Sequence, residues 1–323
     1  KEKTVQPQIE ALGGRVYKIN PPSAKGILKH EMSRFFAAHK NEWEALHIHA
    51  PHFAVFISPQ AKKAGIKKIC CHCHTTWYSL FPKNEFRNRL LAAPVKCLAG
   101  TRFACGTDAG KFWFKDNFYV LANAVDCAAF RFDEKRREKA RQSLGFGDCL
   151  VCGNVGRLYP PQKNHPFILK IFAEVKKQRS DAKLLLVGAE EEPSLLSLAK
   201  KLEIEKDVLF LGQRRDVADL LFAMDVFLFP SLREGLPVAA IEAQASGLPV
   251  LMASTITREA LVAPNAKMLS LEASPREWAN AAASAALEAR KDNYDIMKAA
   301  GWDIKERAAR LAEYYRTGVF RDF

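Results

Sequence analysis

The chain has 323 residues, 48% of them hydrophobic, and a formal net charge of +13. This length is enough for two domains with separate cores, and the composition excludes a disordered or low-complexity chain. No apolar run approaches the roughly 18 residues of a membrane span, so we expect a soluble protein.

The positive charge is concentrated in the first half of the chain. Residues 1–150 hold 25 lysines and arginines against 13 acidic residues, a net +12, whereas the remainder is close to neutral. Such a surface suits nucleic acid, an anionic bilayer or a phosphorylated substrate. A well-solvated surface with no partner is the alternative.

Two of the cysteine pairs have the spacing of zinc ligands: Cys70 with Cys73, and Cys149 with Cys152. Both pairs fall in runs typical of strands, where residues i and i+3 point to opposite faces and cannot share one metal. We therefore predict free, largely buried thiols rather than structural zinc, as in a reducing cytoplasm.

Hydrophobic periodicity predicts alternating strands and helices along the whole chain. In the first half the strands cover residues 45–49, 66–73, 102–105 and 118–121, and the helices cover 25–40, 53–64, 84–97, 107–113 (capped by Thr107 or Asp108) and 133–144. In the second half the strands cover 150–155, 182–187, 208–211, 225–229 and 248–252, and the helices cover 165–177, 193–202, 216–223, 237–246, 275–290 and 303–315. Short connections imply parallel pairing, hence an α/β protein with two sheets.

The stretch 225–250 predicts a strand, a loop and an apolar helix. Pro237 suits the first helical position, and Gly235 next to the helix N-terminus suits an anion. Glu242 is the only charge of this helix, so we expect a basic side chain or a hydroxyl-rich ligand to meet it. A solvated Glu234 and a structural salt bridge at Glu242 are the alternative.

Two further basic residues are predicted near this loop. Arg157 ends the first strand of the second sheet, in a Gly-Asn-Val-Gly-Arg run, and Lys163 lies one loop later, just before a helix. Ligands of doubly wound folds bind outside the carboxyl ends of strands, where both residues fall. Each taken alone is equally compatible with surface charge.

The Glu-Gly-Leu-Pro run that starts at Glu234, followed by Glu242 after seven intervening residues, resembles the signature of family 4 retaining glycosyltransferases. Those enzymes have the GT-B fold, two Rossmann-like domains facing across a cleft. The matching positions are Ser231, Gly235, Pro237, Glu242, Ala243, Gly247, Pro249 and Val250. The likeness is closest to the branch that builds bacterial capsular polysaccharide and exopolysaccharide.

The resemblance also implies a domain division. Residues 1–147 would form the acceptor-side domain, completed by a crossover helix at 303–323, and residues 148–302 would bind the nucleotide sugar. The family begins with a strand and a glycine-rich loop, and we expect both to be missing from this sequence.

The resemblance assigns roles to individual residues. Arg157 and Lys163 would hold the donor diphosphate, Glu242 the ribose hydroxyls and Glu234 the transferred sugar. His74 would match the cleft histidine that contacts the donor hexose, with His72 as a second candidate, and His47 and His49 are acceptor-side candidates. The remaining donor contacts would come from Gly156, Gly188, Gly212, Gly235, Leu236 and Pro237, with Gln213 and Arg214 near the base.

The predicted function is transfer of a sugar from a UDP- or GDP-sugar to a glycan or lipid-linked acceptor. No Asp-x-Asp pair occurs, so no metal or other cofactor is expected, and fixed charges would stabilise the leaving phosphate. The basic half would hold the enzyme on the inner face of the membrane through Lys25, Lys29, Lys62, Lys63 and residues 83–89 with Phe81 and Phe86. The rivals are a nucleotide-sugar 2-epimerase of the same architecture and a binding protein for membrane or nucleic acid; we expect no nucleic acid partner.

Overall fold

The computed structural model describes residues 5–20, 31–157, 161–188 and 192–321. These residues divide into two compact units. Unit 1 contains those up to His72 together with Lys83–Arg102, and unit 2 contains Cys73–Pro82 together with those from Phe103 onward. The predicted domain boundaries at residues 147 and 303 come from the family resemblance and not from compactness, and they stay a prediction.

The first part of the chain alternates helices and strands largely as predicted. Its elements are α1 (Gln6–Ala11), α2 (Glu31–Ala38), β1 (Ala45–Ile48), α3 (Ala54–Lys63), β2 (Lys68–Cys73), α4 (Pro82–Ala92), α5 (Val95–Leu98), β3 (Thr101–Ala104), α6 (Thr107–Phe114), β4 (Tyr119–Val120) and α7 (Glu134–Leu144). The first sheet has the strand order β1-β2-β3-β4, in which β1 pairs with β2, and β3 with β4, in parallel. The part of the predicted helix 25–40 that precedes Glu31 lies outside the described residues.

Two local predictions in this region are wrong. The predicted helix 84–97 is two helices, α4 and α5, because Pro94 lacks an N–H and disfavours helical geometry at the residue before it. Neither Thr107 nor Asp108 caps α6, whose N-cap is Gly106. The Thr107 N–H instead donates to both carboxylate oxygens of Glu259, at 3.0 Å.

The second sheet lies wholly in unit 2 and has six parallel strands. They are β5 (Val151–Val155), β6 (Lys183–Val187), β7 (Val208–Phe210), β8 (Val226–Phe229), β9 (Val250–Ala253) and β10 (Ala266–Leu269), in the order β10-β9-β8-β5-β6-β7. When β5 to β10 are numbered 1 to 6 and the sheet is read from β7, the strand order is 3-2-1-4-5-6. This is the order of a doubly wound nucleotide-binding sheet. Strand β10 was not predicted from the sequence.

Helices pack on this second sheet, whose central strands are buried. The helices of this part of the chain are α8 (His165–Gln178), α9 (Pro193–Lys201), α10 (Val217–Ala223), α11 (Val238–Ala245), α12 (Pro275–Ala285), α13 (Tyr294–Ala299) and α14 (Ile304–Thr317). Trp278 of α12 is fully buried and packs edge-on against Phe167 of α8, with ring centroids 5.9 Å apart. Its indole N–H donates to the Ser270 carbonyl at 2.9 Å, so this large ring is buried with its polar atom satisfied.

The C-terminal helix packs against the aromatic residues of β3 and β4. Tyr314 lies edge-on to Phe103 with centroids 5.1 Å apart, and Phe320 contacts both Phe103 and Tyr119. At the start of this helix, the Ile304 N–H donates a hydrogen bond to the Val125 carbonyl at 2.9 Å.

The cysteines are largely buried, as predicted. None of the eight, all of which lie in the described ranges, forms a disulfide, and Cys97 is the exposed one. Within the described ranges, no helix is both long and apolar enough to cross a bilayer.

Candidate active site

The candidate site lies where the strand order of the second sheet reverses, between β5 and β8. Connections leave these two neighbouring strands toward opposite sides, which opens a crevice outside their carboxyl ends. Gly156, Arg157 and Lys163 follow β5, and the loop with Glu234 and Gly235 follows β8. The topology therefore brings the predicted donor residues of two distant chain segments to one edge.

Lys163 and Glu234 form a direct ion pair at this edge. The Lys163 Nζ lies 2.8 Å from the Glu234 Oε1, and the two side chains are only 15% and 7% exposed. The ammonium also lies 4.6 Å from the ring centroid of Phe229. Burial, with a smaller effect from the Lys163 charge, lowers the pKa of the neighbouring His165 to about 4, so His165 is neutral and does not compete for Glu234.

Asparagines link β5 to β8 and the loop after β5 to the loop after β8. The Asn154 amide donates to the Leu228 carbonyl at 2.7 Å, and the Asn164 amide donates to the Pro230 carbonyl at 3.2 Å. Asn164 has a φ of 58°, a left-handed conformation that asparagine tolerates better than most residues. These side chains hold Lys163 beside the Glu234 loop.

Three predicted glycines meet at the carboxyl ends of β5, β6 and β7. The Gly188 N–H donates to the Gly212 carbonyl at 2.6 Å, and the Gly156 N–H donates to the Val187 carbonyl at 2.9 Å. Gly188 has a φ of +82°, and a Cβ there would come 3.2 Å from the Gly156 carbonyl oxygen. Glycine at these positions adds no side chain to this edge, but the Lys163 side chain lies close to Gly156, where a Cβ would come 3.1 Å from the Lys163 Cγ.

Gly235 lies directly against the backbone of His74. A Cβ at position 235 would come within 2.0 Å of the His74 carbonyl oxygen, so no larger residue fits without a shift. His74 follows β2 and is half-buried. The structure therefore brings together His74 and the Glu234 loop, which the sequence assigned to the same site from separate motifs.

Arg233 adds a second link that sequence analysis missed. Its guanidinium lies 4.9 Å from the centroid of the Trp77 ring and donates to both the hydroxyl and the carbonyl of Thr76. The Trp113 indole N–H donates to the Thr75 carbonyl at 2.7 Å, which supports the same segment from the other side. An arginine and a tryptophan that are distant in the chain carry no spacing signal, so only the fold reveals this contact.

Glu242 sits on α11 between the buried residues Ile241 and Ala243. Burial raises the pKa of Glu242 to about 7. Within the described part of the chain, no cation pairs with this carboxylate, so the alternative of a structural salt bridge at Glu242 is not found there. Pro237 is the N-cap of α11, one residue earlier than the first helical position predicted for it.

In the ranges that the structure describes, the remaining predicted site residues form no hydrogen bond or ion pair with Lys163 or Glu234. Arg157 is exposed after Gly156, and its guanidinium pairs with no carboxylate among the residues that the structure describes. Leu236 is buried, and Arg214 forms a bidentate pair with Asp216. The loop residues 158–160, which precede Lys163, lie outside the described ranges.

Comparison with known proteins places this architecture in a defined class. The profile of the family described as "Glycosyl transferases group 1" matches residues 150–287. A protein of Bacillus subtilis, provisionally named glycosyltransferase EpsF, is 30% identical over 98% of this chain and 86% of its own length. The fold and these matches define a GT-B glycosyltransferase.

The chain belongs to the glycosyl transferase group 1 family. An Escherichia coli relative, named UDP-Gal:alpha-D-GlcNAc-diphosphoundecaprenol alpha-1,3-galactosyltransferase, is 28% identical over 73% of this chain and 64% of its own length. The crystal structure of HepE of Anabaena, solved with UDP and glucose, superposes with a TM-score of 0.80 and 19% identity, covering 98% of this chain and 90% of HepE. That likeness establishes the fold.

Proposed function

We propose that this glycosyltransferase moves a sugar, with retention of configuration, from a UDP- or GDP-sugar to a glycan or lipid-linked acceptor for a cell-surface polysaccharide. The observation that carries the proposal is the buried Lys163–Glu234 pair at the switch point of the second sheet. The name of the Escherichia coli relative gives UDP-Gal as the donor and a diphosphoundecaprenol-linked sugar as the acceptor, and this supports the choice of donor and acceptor.

In this proposal the bound donor replaces the ion pair: Lys163 and Glu234 separate, and each contacts a different part of the donor. The diphosphate attracts the Lys163 ammonium away from Glu234, and the freed carboxylate accepts hydrogen bonds from hydroxyls of the donor sugar. Arg157, exposed at the same edge, supplies a forked pair of donors to the phosphate. Two fixed positive charges then meet the charge that grows on the leaving phosphate, so no metal is required for that step.

Glu242 would bind the ribose. Hydroxyl donors favour the ionised form of a carboxylate, and so would compensate for the burial that raises the pKa of Glu242 to about 7. The three glycines Gly156, Gly188 and Gly212 leave space for the nucleotide beside the strand ends. Gly235 and Leu236, at the start of α11, would offer backbone N–H groups to the phosphates.

The chemical step is an exchange of one C–O bond for another at the anomeric carbon. The acceptor oxygen forms its bond on the face from which the phosphate departs, and the leaving phosphate oxygen takes the acceptor's proton. No carboxylate nucleophile is assigned. The His74 backbone lies against Gly235, which would place His74 beside the donor sugar.

A lipid-linked acceptor would lie in a membrane, so the proposal includes a surface by which the enzyme docks on lipid. Phe86 and Leu90 lie one turn apart on α4 and are 71% and 59% exposed. Lys83 and Arg87 lie on the same part of this helix and are exposed as well. Apolar side chains flanked by basic ones suit an anionic bilayer, so we propose peripheral docking on the cytoplasmic face of the membrane.

The experiment that tests the function is a calorimetric screen of UDP- and GDP-sugars, followed by a transfer assay with and without glycan acceptors. Binding of one nucleotide sugar and acceptor-dependent release of nucleoside diphosphate is the expected result. Release of free sugar together with UDP in the absence of any acceptor would favour the epimerase, and absence of binding to all donors would overturn the proposal.

A further inference from the structure

Three histidines converge at the carboxyl ends of β1 and β2, within unit 1. The parallel register pairs His47 with Cys70, so His49 falls opposite His72, two residues further along both strands. Side chains alternate along a strand, and directly paired residues of parallel strands share a face. His47, His49 and His72 therefore project from the same face of the first sheet.

The three imidazole rings are close enough to share one ligand. The ring centroids of His47 and His49 are 4.3 Å apart, and both lie within 5.4 Å of the His72 centroid. One ring nitrogen from each histidine can be chosen so that all three lie within 4.8 Å of one another. In a tetrahedral zinc site with Zn–N distances of about 2.0–2.1 Å, the nitrogens stand roughly 3.4 Å apart. Metal binding at this place therefore requires side-chain rotations that bring the three nitrogens closer together.

The cluster is open to solvent on one side. His72 is 3% exposed, whereas His47 is half-buried and His49 reaches the surface, so an ion can enter from solvent past His49.

We propose that His47, His49 and His72 bind one divalent transition-metal ion of the zinc class, with water at the fourth position. Imidazole is a preferred ligand of zinc, nickel, copper and cobalt, and three such ligands leave one position of a tetrahedron open. The ion joins the ends of β1 and β2, and so stabilises unit 1. These ligands are not the residues that meet the donor diphosphate.

The sequence alone does not show this site. The histidines fall in two motifs 23 residues apart, and the neighbouring Cys70, Cys71 and Cys73 direct attention to thiolate ligands instead. Only the register of β1 on β2 brings His49 beside His72. Among the described residues, the side chains whose ligand atoms converge at this place are His47, His49 and His72, and no cysteine belongs to that group.

The test is a calorimetric titration of the full chain with Zn²⁺ at pH 7.5 after removal of metal with a chelator. We expect one ion per chain and a loss of affinity of at least tenfold in His49→Gln, which alters only an exposed side chain. His39→Gln is the matched control, because His39 pairs with Glu42 outside the cluster, and it should bind like the parent chain. His72→Gln should bind as weakly as His49→Gln wherever it folds.

Cobalt provides an independent readout of the ligands. Substitution with Co²⁺ should give the visible absorption of a tetrahedral site with nitrogen ligands, together with a rise in melting temperature that His49→Gln abolishes. A near-ultraviolet thiolate band, which would assign the ion to cysteine, overturns the proposal. So does an absence of zinc binding in the parent chain, or equal affinities in His49→Gln and His39→Gln.

Discussion

Lys163 and Glu234 lie 2.8 Å apart as a largely buried ion pair, although 71 positions separate them in the chain. Each was predicted from the sequence to contact the donor, and in the structure their opposite charges compensate each other. Such a pair keeps two charges satisfied in a site with little water, and a donor carrying both a diphosphate and hydroxyls can replace both partners at once.

The first prediction concerns that pair. Lys163→Ala should lower kcat by on the order of 10²–10³, because a fixed positive charge no longer meets the leaving phosphate. Lys176→Ala is the matched control, since Lys176 forms an equally short pair of 2.7 Å with Asp207, 17% and 20% exposed, at the opposite ends of the strands. Transfer kinetics measured without added Mg²⁺ check the prediction, and a strict need for Mg²⁺ or equal losses in the two variants would contradict it.

Glu242 makes stability depend on pH in a defined direction. Burial raises its pKa from the ordinary 4.5 to about 7, so the folded chain binds the proton more tightly than the unfolded chain. The associated stability is fully present below pH 4.5 and is lost as the pH rises through 7, by at most about 3 kcal/mol.

Glu242→Gln should remove this loss, because the amide does not ionise. We expect the variant to be more stable than the parent chain at pH 8 and to differ little at pH 5, while its affinity for the nucleotide falls. Urea unfolding at both pH values, beside nucleotide calorimetry, measures both effects. A parent chain whose stability does not decrease from pH 5 to pH 8 relative to the variant would refute the assignment.

The close approach of Gly235 to His74 predicts a steric effect. Gly235→Ala would put a Cβ 2.0 Å from the His74 carbonyl oxygen, so the loop or the His74 segment must move. Gly100→Ala is the control, because the nearest atom to a Cβ there lies at an ordinary 3.6 Å. We expect Gly235→Ala to lower donor affinity at least tenfold and to lower the melting temperature, with Gly100→Ala close to the parent in donor affinity; normal donor binding by Gly235→Ala would argue against the contact.

Local pattern predicted most of the fold, and non-local contacts account for what it missed. Strands such as β6 and β8 were predicted correctly because they are short apolar runs bounded by turn residues. The start of α6 at Thr107 was predicted correctly, but its cap was misassigned because the acceptor, Glu259, lies 152 positions away in the chain. The residues of the active site were named from motifs, but the pairing of Lys163 with Glu234 depends on the strand order and has no signal in either motif.

Glu259 gives a prediction of its own. Its carboxylate accepts the Thr107 N–H at the start of α6, where it also faces the positive end of the helix dipole. Glu259→Ala should destabilise the chain by about 1–2 kcal/mol, as the loss of a helix cap does, and Glu259→Gln should retain part of this energy through its amide oxygen. Denaturant unfolding distinguishes the three proteins, and identical stabilities would show that the contact contributes nothing.

The last prediction concerns membrane docking by α4. The chain should bind vesicles in proportion to their anionic lipid content, and binding should weaken with salt, since exposed charges are screened within about 10 Å at 0.1 M salt. The double variant Phe86→Ser with Leu90→Ser should lower the vesicle affinity about tenfold or more. Each exposed apolar side chain contributes binding free energy when it is buried in the membrane interface. Leu287→Ser is the control, as Leu287 is 83% exposed in unit 2 and has no part in the proposed surface.

Cosedimentation with neutral and anionic vesicles, run beside a DNA gel shift, separates the possible partners of the basic half. Each lysine or arginine near an anionic surface contributes about 1 kcal/mol, so Lys62, Lys63, Lys83 and Arg87 together would suffice for reversible docking. DNA binding at physiological salt, with indifference to lipid charge, would instead identify nucleic acid as the partner. Equal binding to both vesicle types would remove the electrostatic anchor, because the net +12 of residues 1–150 predicts a preference for anionic lipid.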